Sequence, residues 1–90
     1  MKHHYTTSGT CSRSIEFEID PITHIVRSVA FSGGCNGNLK GIAAMSEGLR
    51  AEDVIDRLKG IKCGAKPTSC PDQFASALEQ TISDLNSNNP

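Results

Sequence analysis

Ile15-Glu16-Phe17-Glu18-Ile19-Asp20 alternates apolar and acidic side chains without a break. That period of two is the pattern of a β-strand with one buried and one wet face. Asp20-Pro21 supplies a turn, and Ile25 to Ser32 reads as the return strand of an antiparallel hairpin. There Ile25, Val29 and Phe31 share a face with Arg27, which is expected to snorkel or to sit at an edge. Gly33-Gly34-Cys35-Asn36-Gly37-Asn38 ends the strand, with Asn36 or Asn38 as the expected cap of a following helix. The period then changes: Leu39, Ile42, Met45 and Leu49 recur at helical spacing. A second, short helix has Glu52 and Asp53 in its first turn, Val54, Ile55 and Leu58 facing inward, and Gly60 as its stop. A third starts at Ser69 or Cys70, carries Pro71 in its first turn, and shows Phe74, Leu78, Ile82 and Leu85 as an apolar stripe. The expected fold is a small α+β domain, an N-terminal β-hairpin followed by three helices.

Ninety residues make one domain, with an expected ordered core at about 5–85. The start, including His3-His4, and the tail Asn86-Ser87-Asn88-Asn89-Pro90 are expected to lie outside it. The chain has three Phe, one Tyr and no Trp, so its core rests on Ile, Leu, Val, Ala and Phe. A domain this small often recruits a disulfide, a metal or a partner subunit. Net charge is −1 with acids and bases interspersed, which gives no electrostatic footprint for nucleic acid or an anionic membrane. No apolar stretch approaches the roughly 20 residues that span a bilayer, and no secretory h-region opens the chain. A cytoplasmic, reducing location is the expectation, where cysteines more often serve metal or redox roles than stable disulfides.

The four cysteines carry the candidate chemistry. Cys11 precedes the first strand, Cys35 joins the second strand to the first helix, Cys63 follows the second helix, and Cys70 opens the third. All lie at element boundaries and none within an apolar stripe, where a packing cysteine would more often fall. With helices on one face of the hairpin, these boundaries converge at one end of the fold. One reading is a metal site, zinc or iron–sulfur, held by up to four thiolates. The gaps of 23, 27 and 6 residues match no standard zinc finger. A second reading is a redox pair of Cys63 and Cys70, since a helix N-terminus favours thiolate over thiol and Lys62 and Lys66 flank the loop. A third leaves the cysteines as packing thiols. A homodimeric interaction domain, pairing through the hairpin edge, is a further class.

His24 reads as a solvated turn residue rather than a ligand. Asp72 reads as a first-turn acid that complements the helix dipole and closes a capping box with Ser69. The glycine-rich turn before the first helix lacks a Walker lysine and does not follow a parallel strand, so it is a weak phosphate site. No serine–histidine–acid set or aromatic platform for bases is present.

Thr68-Ser69-Cys70-Pro71-Asp72-Gln73, with Thr10-Cys11-Ser12, Gly33 to Leu39 and Leu58-Lys59-Gly60-Ile61-Lys62-Cys63-Gly64, resembles the TSCPD domain family over roughly Tyr5 to Leu85. All four cysteines fall in these blocks, as in the family's small stand-alone four-cysteine branch. A related domain lies at the C-terminal end of some ribonucleotide reductases, and family labels sometimes extend that enzyme's name to the small proteins. The chain is too short for the reductase's radical barrel. The resemblance therefore implies an accessory module that docks to a partner in deoxyribonucleotide metabolism. The span from Gly34-Cys35 to Ile61-Lys62-Cys63 is also similar in layout to iron–sulfur assembly scaffolds of the NifU type, although the acidic cluster ligand of those scaffolds is missing.

Overall fold

A computed structural model describes residues 2–7, 12–33, 36–62, 64–65 and 67–87. The described chain runs β1 (Lys2–Thr6), β2 (Ser12–Ile19), β3 (Val26–Gly33), α1 (Asn36–Ser46), α2 (Ala51–Leu58) and α3 (Cys70–Ser87). The three strands form one antiparallel sheet in the order β1-β2-β3. The α+β class and the three helices agree with the sequence reading, and the sheet has one more strand than the hairpin. That strand is the polar start of the chain. Its side chains alternate between half-buried His3 and Tyr5 and exposed His4 and Thr6, a pattern that polar residues hide from a hydrophobicity count.

In β2 the alternation behaves as expected: Ile15, Phe17 and Ile19 are at most 1 % exposed. The return strand does not keep its period. Glu16 pairs with Ala30 and Glu18 with Arg27, so two residues of β3, Ser28 and Val29, stand opposite Phe17 alone. This is a β-bulge, and Ser28 takes the left-handed φ of 57° within it. The extra residue shifts the phase, so that Val26, fully buried, joins half-buried Val29 and Phe31 on the core side. Arg27 is thereby turned away from that face and is exposed. Ile25, placed on the core face by simple alternation, instead sits half-buried just before the strand, in an isolated bridge to Arg50.

Segment 48–50 extends the sheet past β3, through Val26 N–H to the Leu49 carbonyl and Gly48 N–H to the Val26 carbonyl, both 2.8 Å. Gly48 adopts φ 81°, which a side chain rarely tolerates. α1 begins at Asn36, so Asn38 lies within its first turn rather than at its cap. Leu39 is buried and Ile42 half-buried, but Met45, counted in the apolar stripe, is 77 % exposed.

α3 covers the sheet. Phe74, with no exposed surface, meets both Phe17 and Phe31 edge-on, at centroid distances of 5.8 and 5.7 Å. Around these rings the core gathers Ile15, Ile19, Val26, Ala51, Val54, Ala77 and Leu78. Phe31 is paired with Ile15 near the Ser12–Gly33 end of the sheet, so the start of α3 lies over that end. The last turns of α3 reach the opposite end, where Asn86 lines a groove with Glu52, itself bonded to His24 of the β2–β3 turn. α2 runs antiparallel to α3: Glu52 lies beside Asn86, while Lys59 is ion-paired with Glu79.

Candidate thiolate site and the motif that frames it

Cys70 is the one proposed ligand among the described residues, and it is buried, 6 % exposed, as the first residue of α3. Cys11, Cys35 and Cys63 lie outside the described residues, as does Lys66. Their sequence neighbours are described. Ser12, next to Cys11, pairs with Gly33, two residues before Cys35, in the terminal pair of the β2–β3 ladder. Asn36, next to Cys35, opens α1. The Ile61 carbonyl, two residues before Cys63, accepts a hydrogen bond from Ser69 Oγ at 2.6 Å. The flanks of all four cysteines thus occupy the end of the fold over which α3 begins.

The residues around Cys70 form a closed network. Ser69 caps α3: its Oγ accepts from the Asp72 N–H at 3.2 Å, and its carbonyl accepts from the Gln73 N–H at 2.8 Å. Ser69 is itself buried, 4 % exposed. The Asp72 carboxylate does not return to Ser69, as a reciprocal capping box requires. It accepts from the Gly60 N–H at 2.7 Å and from Thr68 Oγ1 at 2.5 Å. Gln73 Nε2 donates to the same Thr68 oxygen at 3.1 Å. These bonds to Thr68 and Gly60 hold the Asp72 carboxyl below the usual carboxylate range. Gly60 itself needs φ 87° to turn the chain out of α2. Thr68, Ser69 and Asp72 therefore tie the end of α2 to the start of α3 across the loop that contains Cys63. The sequence signalled the cap; the bond from Asp72 back to Gly60 spans twelve residues and leaves no periodic mark.

The histidines lie elsewhere. His24 is half-buried rather than solvated, with φ 63° and Nδ1 2.6 Å from Glu52 Oε2. Burial works against the Glu52 charge, but the bond from His24 and the charges of His24 and Arg50 outweigh it and lower its pKa. His3 stacks on Phe17 at 5.5 Å, and burial lowers its pKa. Its Nε2 is enclosed without a hydrogen-bond partner among the described residues. Among the described residues no three His, Cys, Asp or Glu side chains gather to hold a metal ion.

No described helix is long and apolar enough to cross a membrane. Neither a curated protein nor a solved structure gives a match. The family model of the TSCPD domain matches residues 1–82, a span that takes in all three strands, all four cysteines and most of α3. On that match the chain belongs to the TSCPD domain family.

Proposed function

We propose that the protein is a small accessory module whose Cys11, Cys35, Cys63 and Cys70 hold a metal, zinc or an iron–sulfur cluster, and which docks to a larger partner. The observation that carries this reading is the convergence of the cysteine flanks on the end where buried Cys70 opens α3. Thiolates are the donors that zinc and iron–sulfur clusters prefer, so the residue types fit the group. A thiolate-bound metal would supply a cross-link between β2, the β3–α1 junction, the 61–69 loop and α3. In small peptides such binding supplies about 10–16 kcal/mol of apparent energy, enough to decide the folding of a thin core. The protein's own part is positional: Ser69 fixes the α3 terminus, and Asp72 and Thr68 hold the loop against it. The thiols need a reducing compartment such as the cytoplasm. The family's likeness to a terminal domain of ribonucleotide reductases makes such a reductase, or another protein of deoxyribonucleotide metabolism, the proposed partner.

A second reading, thiol exchange between Cys63 and Cys70, draws on the Ser69–Ile61 bond that closes the loop between them. The burial of Cys70 counts against it as the thiol that attacks an external disulfide. Four single Cys→Ser variants separate the readings. Under the metal reading Cys11→Ser and Cys35→Ser lower both metal content and melting temperature. Under the redox reading those two changes are mild, and only Cys63→Ser and Cys70→Ser abolish thiol exchange. A plain interaction domain keeps its oligomeric state through all four.

A further inference from the structure

α1 turns toward solvent a face that nothing in the described chain explains. Gly37, Lys40, Gly41 and Ala44 are exposed along it, while Leu39 and Ser46 on the opposite face are buried. Glycine is a poor helix former, and a helix keeps it where a neighbour must come close. Neither Gly37 nor Gly41 has the positive φ of Gly33 or Gly48. A Cβ at either would meet nothing within 4 Å, so no described neighbour requires the glycines. On one flank of this face Met45, 77 % exposed, stands at the rim of a narrow cleft of about 110 Å³ that Ile42, Leu49, Val54 and Leu58 also line. On the other flank lie Lys40 and Glu47, seven residues and about 10 Å apart along the helix direction. The ion pairs of the described residues are His24–Glu52, Arg50–Glu52 and Lys59–Glu79, so neither charge is balanced by one of them. Glu47 Oε2 accepts from the Ser28 N–H, a neutral donor that leaves its charge in place.

We propose that two copies of the chain associate through this face, with their α1 helices antiparallel about a two-fold axis passing between Ala43 and Ala44. That axis sets Lys40 opposite Glu47 of the second copy and Glu47 opposite its Lys40, so charges unbalanced in each chain are balanced between them. The same axis sets Met45 opposite Ile42 of the second copy, where its unbranched, flexible side chain closes over that copy's cleft. Gly41 and Ala44, near the crossing point, let the two backbones approach. One axis satisfies the charged and the apolar pairings together. An isologous contact needs that, and it selects a second copy over an unrelated partner. The contact is short, because the eleven residues of α1 span about 16 Å. The dimer therefore belongs to the weak, transient class that buries less than about 1,200 Å². It goes beyond the proposed function: no cysteine takes part in it, so metal content and association are read separately.

Sedimentation equilibrium of the full chain at concentrations up to about 1 mM, with NMR spectra on dilution, reads the association. A concentration-dependent dimer is expected, with dilution shifts confined to residues 37–49 and the neighbouring cleft. Lys40→Glu and Glu47→Lys are each expected to weaken it about tenfold, and the two changes combined in one chain to restore it. Gly41→Leu adds bulk at the crossing point, where the single chain has open space. It is expected to weaken the dimer at least about tenfold while the folded monomer keeps or raises its melting temperature. Glu47→Lys also gives up the bond to Ser28, so if that variant unfolds, Lys40→Glu and Gly41→Leu, both at exposed positions, decide the matter. A monomer at every concentration overturns the proposal. So does a dimer that Gly41→Leu leaves unchanged, or a folded charge-swapped chain that fails to recover association. Dilution shifts centred on β1 overturn it in favour of pairing at the sheet edge.

Discussion

Removing the Asp72 carboxylate tests whether the Thr68–Asp72 segment acts as a lock between α2 and α3. In Asp72→Ala the Gly60 N–H and the Thr68 hydroxyl lose a charged acceptor at 2.7 and 2.5 Å. Hydrogen bonds to charged groups contribute about 1.5–3 kcal/mol each when buried. Asp72 is half-buried and Gly60 exposed, so water recovers much of the loss, and a net cost of about 2 kcal/mol follows. For a domain of this size that lowers the melting temperature by about 8–16 °C. Asp72→Asn keeps one acceptor oxygen and costs about half as much. Far-UV circular dichroism during thermal and urea unfolding reads the effect, in a double-mutant cycle with Thr68→Val. The expected coupling between the two positions is about 0.5–1.5 kcal/mol. The pH dependence carries a sign. The folded pKa of Asp72 is depressed, so its stabilisation is fully present above the unfolded carboxylate value and is lost as pH falls through the folded one. Wild type should therefore lose more stability than Asp72→Asn between pH 5 and about pH 2–3. A melting shift under about 3 °C for Asp72→Ala, or strict additivity with Thr68→Val, would refute the lock.

Three further changes probe the frame. Ser28→Gly should raise stability by about 0.5–1 kcal/mol, because it relieves the left-handed φ of 57° at the β3 bulge; a lower urea midpoint would count against that bulge. Phe74→Ala removes the ring shared by Phe17 and Phe31, and the expected loss of about 3–5 kcal/mol should leave a largely unfolded chain by NMR. Glu52→Gln weakens the pair with His24 by about 0.5 kcal/mol, discounted because the Glu52 side chain is 40 % exposed. Since the folded pKa of Glu52 is lowered, that contribution is present at pH 7 and lost as pH falls through the carboxylate range, so the variant and wild type should converge in stability near pH 3.

What the sequence disclosed follows from where periodicity carries information. The strict alternation through Phe17 and the i, i+4 spacing of Phe74 and Leu78 marked β2 and α3 because burial there is dictated by side-chain period. β1 was illegible because its inward residues, His3 and Tyr5, are polar enough to read as solvated. The bulge at Ser28 was illegible because serine carries no preference for a positive φ. It is stabilised in part from outside the strand, where its N–H donates to Glu47 Oε2 at 2.8 Å. That one extra residue explains why Val26 rather than Ile25 reached the core, and why Arg27 needs no snorkelling. Met45 kept helical spacing but stands largely exposed at the rim of a cleft it shares with Ile42, Leu49 and Leu58. At the candidate site the cap by Ser69 was readable from residue type and position. The partners of Asp72 and His24 are long-range contacts that only the folded chain brings together.

Purifying the untagged chain anaerobically and measuring bound metal and reactive thiols on the same sample shows whether thiolates hold a metal at the Cys70 end. About one zinc per chain, or iron with matching sulfide, is expected, with few reactive thiols until the protein is denatured or chelated. A metal-free, folded protein whose cysteines all titrate would contradict it.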